Sequence, residues 1–183
     1  MNQEFLSDLV TRFEELESQL NKLDAATGDG DHGGTILKGM RAAAAAPEKP
    51  VPAFRMAAGG ASGSLFSLVI GALERAESDP ATLGEALATA AKKISQLGQA
   101  KAGDKTMLDA LIPAAEAASA NPASAPGAAA EAARAGAEAT KPMQAKRGRA
   151  RYVEGGGVGH LDAGAFSVAE ILTLFGKKFG ERS

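Results

Sequence analysis

Apolar residues recur every three or four positions through the first part of the chain. This spacing places them on one face of a helix, since an α-helix turns once in about 3.6 residues. We therefore predict a helix over residues 2–23, roughly 33 Å long at ~1.5 Å per residue. Its apolar positions are Phe5, Leu6, Leu9, Val10, Phe13, Leu16, Leu20 and Leu23.

Glycines and prolines divide the rest of the chain into shorter segments. Pro47 ends a helix that begins near Thr35, and Thr82-x-x-Glu85 has the spacing of a capping box. Asp104 is placed to cap a later helix. We expect seven or eight helices in all. The remaining predicted segments are a short one over 50–60, helices over 61–78, 82–98, 128–140 and 163–179, a further helix in which Pro113 is a kink or a restart, and loops over 121–127 and 155–159.

Composition favours an all-α fold. Alanine accounts for 41 of the 183 residues, while there are 7 Phe, 1 Tyr and no Trp. Alanine is the best helix former and a poor strand former, which disfavours a β-sandwich or a large doubly wound sheet. We expect the alanine-rich helix over 128–140 to pack closely on a neighbour. The length suits one compact domain, so we predict a single domain over residues 1–183.

Charge and cysteine content exclude several classes of protein. The net charge is −2 and there is no cysteine. These values disfavour extensive binding to nucleic acid or anionic membranes, and they exclude disulfides and thiolate metal sites. No apolar run reaches the ~18 residues of a membrane span, and the acidic, amphipathic N-terminus is unlike a signal peptide. We expect a soluble, cytoplasmic protein that binds neither nucleic acid nor membrane.

The segment LDAATGDGDHGGT at 23–35 holds the most informative chemistry. Asp24, Asp29 and Asp31 fall within eight residues, among glycines that permit tight turns. Two carboxylates ~5 Å apart would repel each other by about 3 kcal/mol at an effective dielectric near 20. A hard cation such as Mg²⁺, which prefers oxygen ligands, removes that repulsion. The three aspartates are therefore candidate metal ligands.

A predicted helix begins directly after these aspartates. The first N–H groups of a helix have no partner within it, so those near Gly33, Gly34 and Thr35 are placed to bind phosphate. Carboxylates beside such amides indicate a metal–nucleotide site, and a solvated acidic turn is the alternative with the same composition. The match of Gly28-x-Gly30-x-x-Gly33 to a dinucleotide fingerprint fails, because a helix and not a strand precedes it.

Two further stretches carry candidate chemistry. Residues 59–63, GGASG, precede a predicted helix and form either a second phosphate cradle or a linker that allows close packing. Residues 146–151, KRGRAR, carry four positive charges and form either a solvated face or a contact to nucleotide phosphates. His32 and His160 are too few for a metal site built on histidine.

Five segments together resemble the nucleotide-binding L subunit, or domain, of dihydroxyacetone kinases. They occur in the family's order and span nearly the whole chain. They are LDAATGDGDHGGT at 23–35, GGASGSLF at 59–66, GDKTMLDALIPA at 103–114, TKPMQAKRGRARY at 140–152 and GHLDAGA at 159–165.

This resemblance implies an all-α barrel or bundle of about eight antiparallel helices, with the nucleotide site at one end. By matching position, Asp24, Asp29 and Asp31 would hold two Mg²⁺ ions that bridge the phosphates of ADP or ATP. The other implied nucleotide contacts are His32, Gly33, Gly34, Thr35, Ala61, Ser62, Gly103, Ile112, Arg149, Asp162, Ala163 and Gly164, and Arg149 is also implied to be catalytic. Two positions depart from the family, since Ala163 replaces a proline and Ile112 replaces a methionine often found there.

The activity that the resemblance implies is transfer of a phosphoryl group to dihydroxyacetone or a related ketose, which the family holds on a separate K subunit or domain. The chain has no room for that domain, so we expect half of an enzyme that needs a K partner. In the phosphoenolpyruvate-dependent systems of the family, ADP stays bound and a phosphohistidine protein rephosphorylates it, and separation from the K domain favours this version. The alternatives are an ATP-dependent two-subunit ketose or tetrose kinase and a non-catalytic nucleotide-sensing module.

Overall fold

Eight α-helices make up most of the computed structural model, which describes residues 1–26, 28–147 and 154–180. No strand occurs among these residues, and none of their helices is both long and apolar enough to cross a membrane. The predicted all-α class is confirmed. The helices are α1 (Gln3–Ala25), α2 (His32–Ala45), α3 (Pro50–Ala58), α4 (Gly60–Ala76), α5 (Leu83–Gly98), α6 (Leu108–Ala120), α7 (Ala125–Ala139) and α8 (Ala163–Phe179), with 3₁₀ turns at Pro80–Thr82, Pro122–Ser124 and Glu154–Gly157.

The helices form a closed ring around one hydrophobic core. Each packs against the next along the chain, and α8 returns to pack against α1. Three phenylalanines fill the seam between these two helices. The ring centroid of Phe5 lies 5.6 Å from those of Phe175 and Phe179, in the edge-to-face arrangement that aromatic rings favour. The predicted barrel or bundle is thus confirmed.

Small residues bring the alanine-rich helix α7 close to α6. A Cβ atom on Gly136 would lie 2.2 Å from the carbonyl oxygen of Asp109, so only glycine fits at this contact. Ala129, Ala133 and Ala137 are buried on the same helix. The expected close packing of this helix on a neighbour is confirmed.

Two predicted helix caps are wrong. Thr82 precedes α5, but its side chain does not cap the helix; the Thr82 hydroxyl instead donates to the carbonyl oxygen of Asp79, within a 3₁₀ turn. Helix α6 begins at Leu108, four residues after Asp104. The Asp104 carboxylate accepts a hydrogen bond from the N–H of Lys101 and so stabilises a turn. In both cases a polar side chain with the spacing of a cap bonds to the backbone of an adjoining turn instead.

Two helix boundaries also differ from prediction. Helix α2 starts at His32, three residues before Thr35. The predicted loop over 121–127 is only partly a loop, because it contains a 3₁₀ turn and the first residues of α7, where Pro126 suits the first turn. Pro113 lies inside the continuous helix α6, so the predicted restart there is wrong.

Candidate functional site

The ends of several helices surround a cavity of about 460 Å³. The α1–α2 connection, the α3–α4 junction, the loop before α6 and the start of α8 all contribute to its wall. The lining residues are Asp24, Gly28, Asp29, Asp31, His32, Thr35, Ala58, Gly59, Gly60, Ala61, Ser62, Leu65, Phe66, Lys105, Thr106, Met107, Arg147, Asp162, Ala163 and Gly164.

Three carboxylates form one wall of this cavity. One oxygen from each of Asp24, Asp29 and Asp31 lies within 4.8 Å of the others. Asp24 is half-buried in the last turn of α1, whereas Asp29 and Asp31 are exposed. At such distances each pair repels by about 3 kcal/mol at an effective dielectric near 20. The set offers only oxygen atoms, which are the ligands that Mg²⁺ prefers.

Asp24 also shapes the turn that carries the other two aspartates. Its Oδ2 atom accepts hydrogen bonds from the N–H groups of Gly30, at 2.9 Å, and Asp31, at 3.2 Å. Gly30 has φ +78°, a conformation that glycine adopts readily. A Cβ atom on Gly28 would lie 2.8 Å from Asp24 Oδ1. The glycines between the aspartates are therefore required by the turn around the Asp24 carboxylate.

At the start of α2 we predicted N–H groups that are free to bind phosphate, and the structure gives these groups partners within the protein. Asn21, on α1, accepts hydrogen bonds through Oδ1 from Gly33 N, at 2.7 Å, and Gly34 N, at 3.3 Å. The N–H of Thr35 donates to the carbonyl oxygen of Asp31 within the helix. A Cβ atom on Gly33 would lie 2.3 Å from the Glu17 carbonyl oxygen, so this glycine serves the close packing of α2 on α1.

The start of α4 is the second predicted phosphate cradle. Its N-cap is Gly59, which has no side chain, and Gly59 and Gly60 have φ angles of +67° and +55°. Among the described residues, no side chain accepts a hydrogen bond from the N–H groups of residues 60–62. Ala61 is exposed and Ser62 half-buried, and both line the cavity. The positive end of this helix is thus open to a ligand.

His32 lines the cavity from a buried position. Its Nε2 atom lies 2.9 Å from Ser167 Oγ on α8, and its ring lies 5.7 Å from that of Phe66. Burial lowers the pKa of His32 to about 4, against an opposing effect of Asp24. The imidazole is therefore neutral near pH 7, and it can meet a phosphate only as a neutral hydrogen-bonding group.

Asp162 closes the cavity at the start of α8. Its Oδ2 atom accepts a hydrogen bond from Ala165 N at 2.7 Å, which caps the helix. The pKa of Asp162 is raised to about 7. Burial is the main cause and the charges of Asp109 and Asp24 act in the same direction, whereas the Ala165 N–H and Lys105 lower it. Ala163 and Gly164 follow on the same wall.

The structure places the predicted site residues in three groups. Ten line the cavity, whereas Gly33, Gly34, Gly103 and Ile112 lie outside its lining, and Arg149 falls outside the described residues. Ile112 is half-buried against the hydrophobic core. The ten lining residues are Asp24, Asp29, Asp31, His32, Thr35, Ala61, Ser62, Asp162, Ala163 and Gly164.

Gly103 belongs to a loop that Asp109 organises, a role that the sequence did not indicate. The buried Asp109 carboxylate accepts hydrogen bonds from Gly103 N, at 2.5 Å, and Thr106 N, at 2.8 Å. Gly103 has φ +83°. The conformation of this turn therefore explains why residue 103 is a glycine.

Sequence reasoning identified only part of the cationic wall of the cavity. Lys105 and Arg147 both line it, and Arg147 Nε lies 3.6 Å from Asp104 Oδ2. The basic run at 146–151 was the available signal for the arginine. Nothing in the sequence distinguished Lys105 from the exposed lysines, because its surroundings come from residues far along the chain.

Comparison with known proteins finds relatives along nearly the whole chain. A family model described as the DAK2 domain matches residues 26–177. L-erythrulose 1-kinase of Mycolicibacterium smegmatis is 35% identical over 186 residues, a match that covers 88% of this chain and 32% of that protein. The chain thus spans about a third of the length of that curated relative, and the same holds for the 3,4-dihydroxy-2-butanone kinase homologue of Solanum lycopersicum.

One relative and one solved structure bear on the subunit and the fold. The ADP-binding subunit DhaL of the PEP-dependent dihydroxyacetone kinase 1 of Listeria innocua is 30% identical, over 92% of this chain and 90% of that subunit. The dihydroxyacetone kinase from C. freundii in complex with AMP-PNP and Mg²⁺ has a TM-score of 0.72 at 28% identity, over 97% of this chain and 34% of that one. Since the family model covers most of the sequence and the Listeria subunit aligns almost end to end, this chain belongs to the DAK2 domain family and is related to the L subunits of dihydroxyacetone kinases.

Proposed function

We propose that this chain is the nucleotide-binding half of a ketose kinase. It binds ADP or ATP with Mg²⁺ and transfers a phosphoryl group to a hydroxyl of dihydroxyacetone or a related ketose, which a separate K-type subunit holds. The observation that carries the proposal is the cluster of Asp24, Asp29 and Asp31, whose oxygens lie within 4.8 Å of one another at the wall of the cavity. Such a cluster is stabilised by a hard divalent cation.

The three carboxylates fit Mg²⁺ by the chemistry of their donor atoms. When bound, the metal neutralises charge on the phosphates, which is most of what phosphoryl transfer asks of a protein. Asp24 holds the turn by accepting the N–H groups of Gly30 and Asp31, and it thereby presents the exposed Asp29 and Asp31 to the cavity. We propose these three residues as the metal ligands, and we propose two Mg²⁺ ions as the resemblance implies.

The phosphates and the nucleobase of a bound nucleotide would contact different walls of the cavity, one positively charged and one apolar. The open start of α4 at Ala61 and Ser62, together with Arg147, supplies positive charge for phosphate oxygens. Leu65, Phe66 and Met107 give an apolar wall that suits a nucleobase. The neutral His32 adds a hydrogen-bonding group beside the aspartates. Arg149, by its matching position, is proposed as a further nucleotide and catalytic contact.

We propose the phosphoenolpyruvate-dependent version, in which ADP stays bound as a cofactor and a phosphohistidine protein is the phosphoryl donor. The 30% identity to the ADP-binding subunit of the PEP-dependent kinase of Listeria supports this version. The ATP-dependent version is supported by the C. freundii kinase, which binds AMP-PNP and Mg²⁺. A related tetrose as acceptor is supported by the similarity to L-erythrulose 1-kinase.

The nucleotide content of the purified protein tests the proposal. Nucleotide is released by acid and separated by chromatography, before and after dialysis against Mg²⁺. Near-stoichiometric ADP that survives dialysis supports the bound cofactor and a phosphoprotein donor. An empty protein that binds added ATP with Mg²⁺ supports the ATP-dependent version. If neither nucleotide binds, the proposed function is wrong.

A second measurement separates a kinase subunit from a nucleotide-sensing module. The protein is mixed with the K-type subunit of a related system, dihydroxyacetone, Mg²⁺ and either ATP or the phosphorylated donor protein. Formation of dihydroxyacetone phosphate that requires both subunits supports the kinase. Bound nucleotide without any transfer supports the sensing module and contradicts the kinase.

A further inference from the structure

The ammonium group of Lys105 lies in a buried cage of backbone carbonyl oxygens. Its side chain is 2% exposed. Nζ donates hydrogen bonds to the carbonyl oxygens of Thr140, at 2.9 Å, Met143, at 3.1 Å, Gly157, at 2.7 Å, and His160, at 2.6 Å. We call these four oxygens the carbonyl cage.

The cage joins two stretches of chain that are distant in sequence from Lys105. One stretch, 140–147, follows α7, and the other, 154–162, precedes α8. They also contact each other directly, since Ala145 N donates to Gly156 O at 2.9 Å and Gly159 N donates to Lys141 O at 2.8 Å. The ammonium therefore lies where the two stretches meet and binds both.

Asp104, the neighbour of Lys105, holds the end of the first stretch. Its carbonyl oxygen accepts a hydrogen bond from Lys146 N at 3.1 Å, and its carboxylate lies 3.6 Å from Arg147 Nε. Arg147 and Lys105 line the same cavity. Residues 104 and 105 thus connect the loop before α6 to the backbone that carries the cavity's arginine.

A cation suits this cage better than any neutral side chain. Four inward-facing carbonyl oxygens bring together partial negative charges, and the contacts to Thr140 and Gly157 are fully buried. Those two oxygens also accept the N–H groups of Met143 and His160, so the ammonium is an added donor there. An ammonium supplies full positive charge and three N–H donors in a compact group, so one N–H is shared between two of the four oxygens. Burial lowers the pKa of Lys105, and the nearby Asp162 opposes that shift. Lys105 also adopts φ +59°, which a residue with a side chain rarely does unless its surroundings hold it there.

We propose that Lys105 is a positioning residue for nucleotide binding: its ammonium is a built-in cation that gathers the stretches 140–147 and 154–162 and thereby holds Arg147 at the cavity. The expected effect of Lys105 on nucleotide affinity rests on the proposed function. The hold of Lys105 on the two stretches is a property of the fold alone.

The first test removes the ammonium and returns it from solution. Lys105→Ala leaves out a group with the size and charge of n-propylammonium. We expect at least about tenfold weaker binding of ADP or ATP with Mg²⁺ by calorimetry, with most of the loss restored by n-propylammonium but not by neutral n-propanol. Binding of Mn²⁺ alone, measured by electron paramagnetic resonance, stays within about twofold of wild type, since none of the four oxygens that bind the ammonium belongs to the aspartate cluster. Lys141→Ala, on an exposed lysine in the same stretch, is the matched control and keeps wild-type affinity.

The second test asks whether Lys105 acts through Arg147. Arg147→Met is combined with Lys105→Ala in a double-mutant cycle of nucleotide affinity. We expect the double variant to bind nucleotide about as weakly as Arg147→Met alone. If Lys105 acts by positioning Arg147, its loss has no further effect once that arginine has been replaced. Losses that multiply would contradict the proposal, since they would mean that the two residues act independently.

Amide hydrogen exchange measures the hold on the two stretches without any nucleotide. In Lys105→Ala the N–H groups of Ala145, Lys146 and Gly159 should exchange at least about tenfold faster, and n-propylammonium should restore their protection. Unchanged exchange together with unchanged affinity would overturn the inference. If wild-type protein binds no nucleotide, the proposed function fails and the exchange result still decides the role of Lys105.

A milder variant covers the case in which Lys105→Ala does not fold. Lys105→Met keeps the apolar stem and lacks the charge. A folded Lys105→Met variant with weakened nucleotide affinity and intact Mn²⁺ binding supports the proposal. Loss of the fold in both variants, with no recovery in n-propylammonium, would make Lys105 a residue of the core and would contradict a positioning role.

Discussion

Two clusters of oxygen atoms border the same cavity and differ in how their negative charge is balanced. The aspartate cluster of Asp24, Asp29 and Asp31 carries formal charges, and two of its three members are exposed to water. The carbonyl cage carries only partial charges but is buried around the ammonium of Lys105. An ion from solution can reach the first cluster, whereas the chain itself supplies the cation of the second.

The difference follows from the dielectric surroundings of each cluster. Exposed carboxylates are screened by water, so their repulsion is tolerable until a metal arrives. Buried carbonyl oxygens have no such screening, so their donor must be present whenever the protein is folded. We infer that the aspartate cluster contributes to binding and little to stability, and that the carbonyl cage contributes to both.

The largest expected effect is on stability, at the cage. Lys105→Met should lower the free energy of unfolding by about 3 kcal/mol. The carbonyl oxygens of Met143 and His160 lose the ammonium as their donor, and those of Thr140 and Gly157 keep only a backbone N–H. Urea denaturation followed by circular dichroism measures the change. The matched control is Lys141→Met, on an exposed lysine, which should change the stability by less than about 0.5 kcal/mol. Equal stabilities of Lys105→Met and Lys141→Met would contradict the inference that the carbonyl cage contributes to stability.

The next effect is on binding, at the aspartate cluster. Asp29→Ala should weaken Mg²⁺-dependent nucleotide binding by about 100-fold, or ~2.7 kcal/mol, and leave helicity nearly unchanged. Calorimetry at fixed Mg²⁺ measures the affinity. Asp8→Ala removes an exposed carboxylate sixteen residues before Asp24 on α1, about 24 Å away along the helix, and serves as the charge-matched control. Undiminished affinity in Asp29→Ala would contradict the assignment of the metal ligands.

Asp162 interacts with both clusters, and its effect should depend on pH. Its pKa is raised to about 7 from an ordinary value near 3.8, so the folded state binds the proton more tightly than the unfolded state. The wild type should therefore lose stability as pH rises from about 4 to about 7. Between pH 5 and pH 8 the unfolding free energy of Asp162→Asn should fall less than that of the wild type, by on the order of 1 kcal/mol once the partial exposure of the group is considered.

Parallel denaturation curves of the two proteins at both pH values measure this difference. Asparagine keeps the acceptor that caps α8 and removes only the titration, so capping is matched between the two proteins. Identical pH dependence would mean that the Asp162 carboxyl titrates in its ordinary range.

The smallest effect is expected at the start of α2. Asn21→Ala should cost about 1 kcal/mol of stability, because the N–H groups of Gly33 and Gly34 lose their acceptor. Nucleotide affinity should stay within about threefold, since the side chain supports the helix and not the ligand. Gln19→Ala, on an exposed position of α1, is the control. A large loss of affinity at constant stability would assign this helix start to the ligand.

The positions of helices were largely predictable because their signals are local. The apolar spacing predicted α1 to within two residues at its C-terminal end, and the glycine at 98 ends α5 as predicted. The caps failed because short polar side chains can also bond to backbone groups of a neighbouring turn. The Thr82 hydroxyl donates to the carbonyl oxygen of Asp79, and the Asp104 carboxylate accepts the N–H of Lys101.

The candidate site was predictable where its residues are close in sequence. Asp24, Asp29 and Asp31 lie within eight residues, so a single turn brings them together. The role of Asn21 was not predictable, because its contact with Gly33 depends on how α2 packs against α1. The prediction of free N–H groups at the start of α2 was wrong because Asn21, on α1, accepts hydrogen bonds from them.

The sequence by itself determined the helices, their glycine-marked breaks and the group of acidic ligands, since each depends on interactions between near neighbours in the chain. Only the tertiary structure decided which helix start stays open, that Arg147 reaches the cavity and what surrounds Lys105. Its four carbonyl partners lie 35 to 55 residues away along the chain. Contacts over such separations form only when the ring of helices closes, and burial then determines which charges must be balanced.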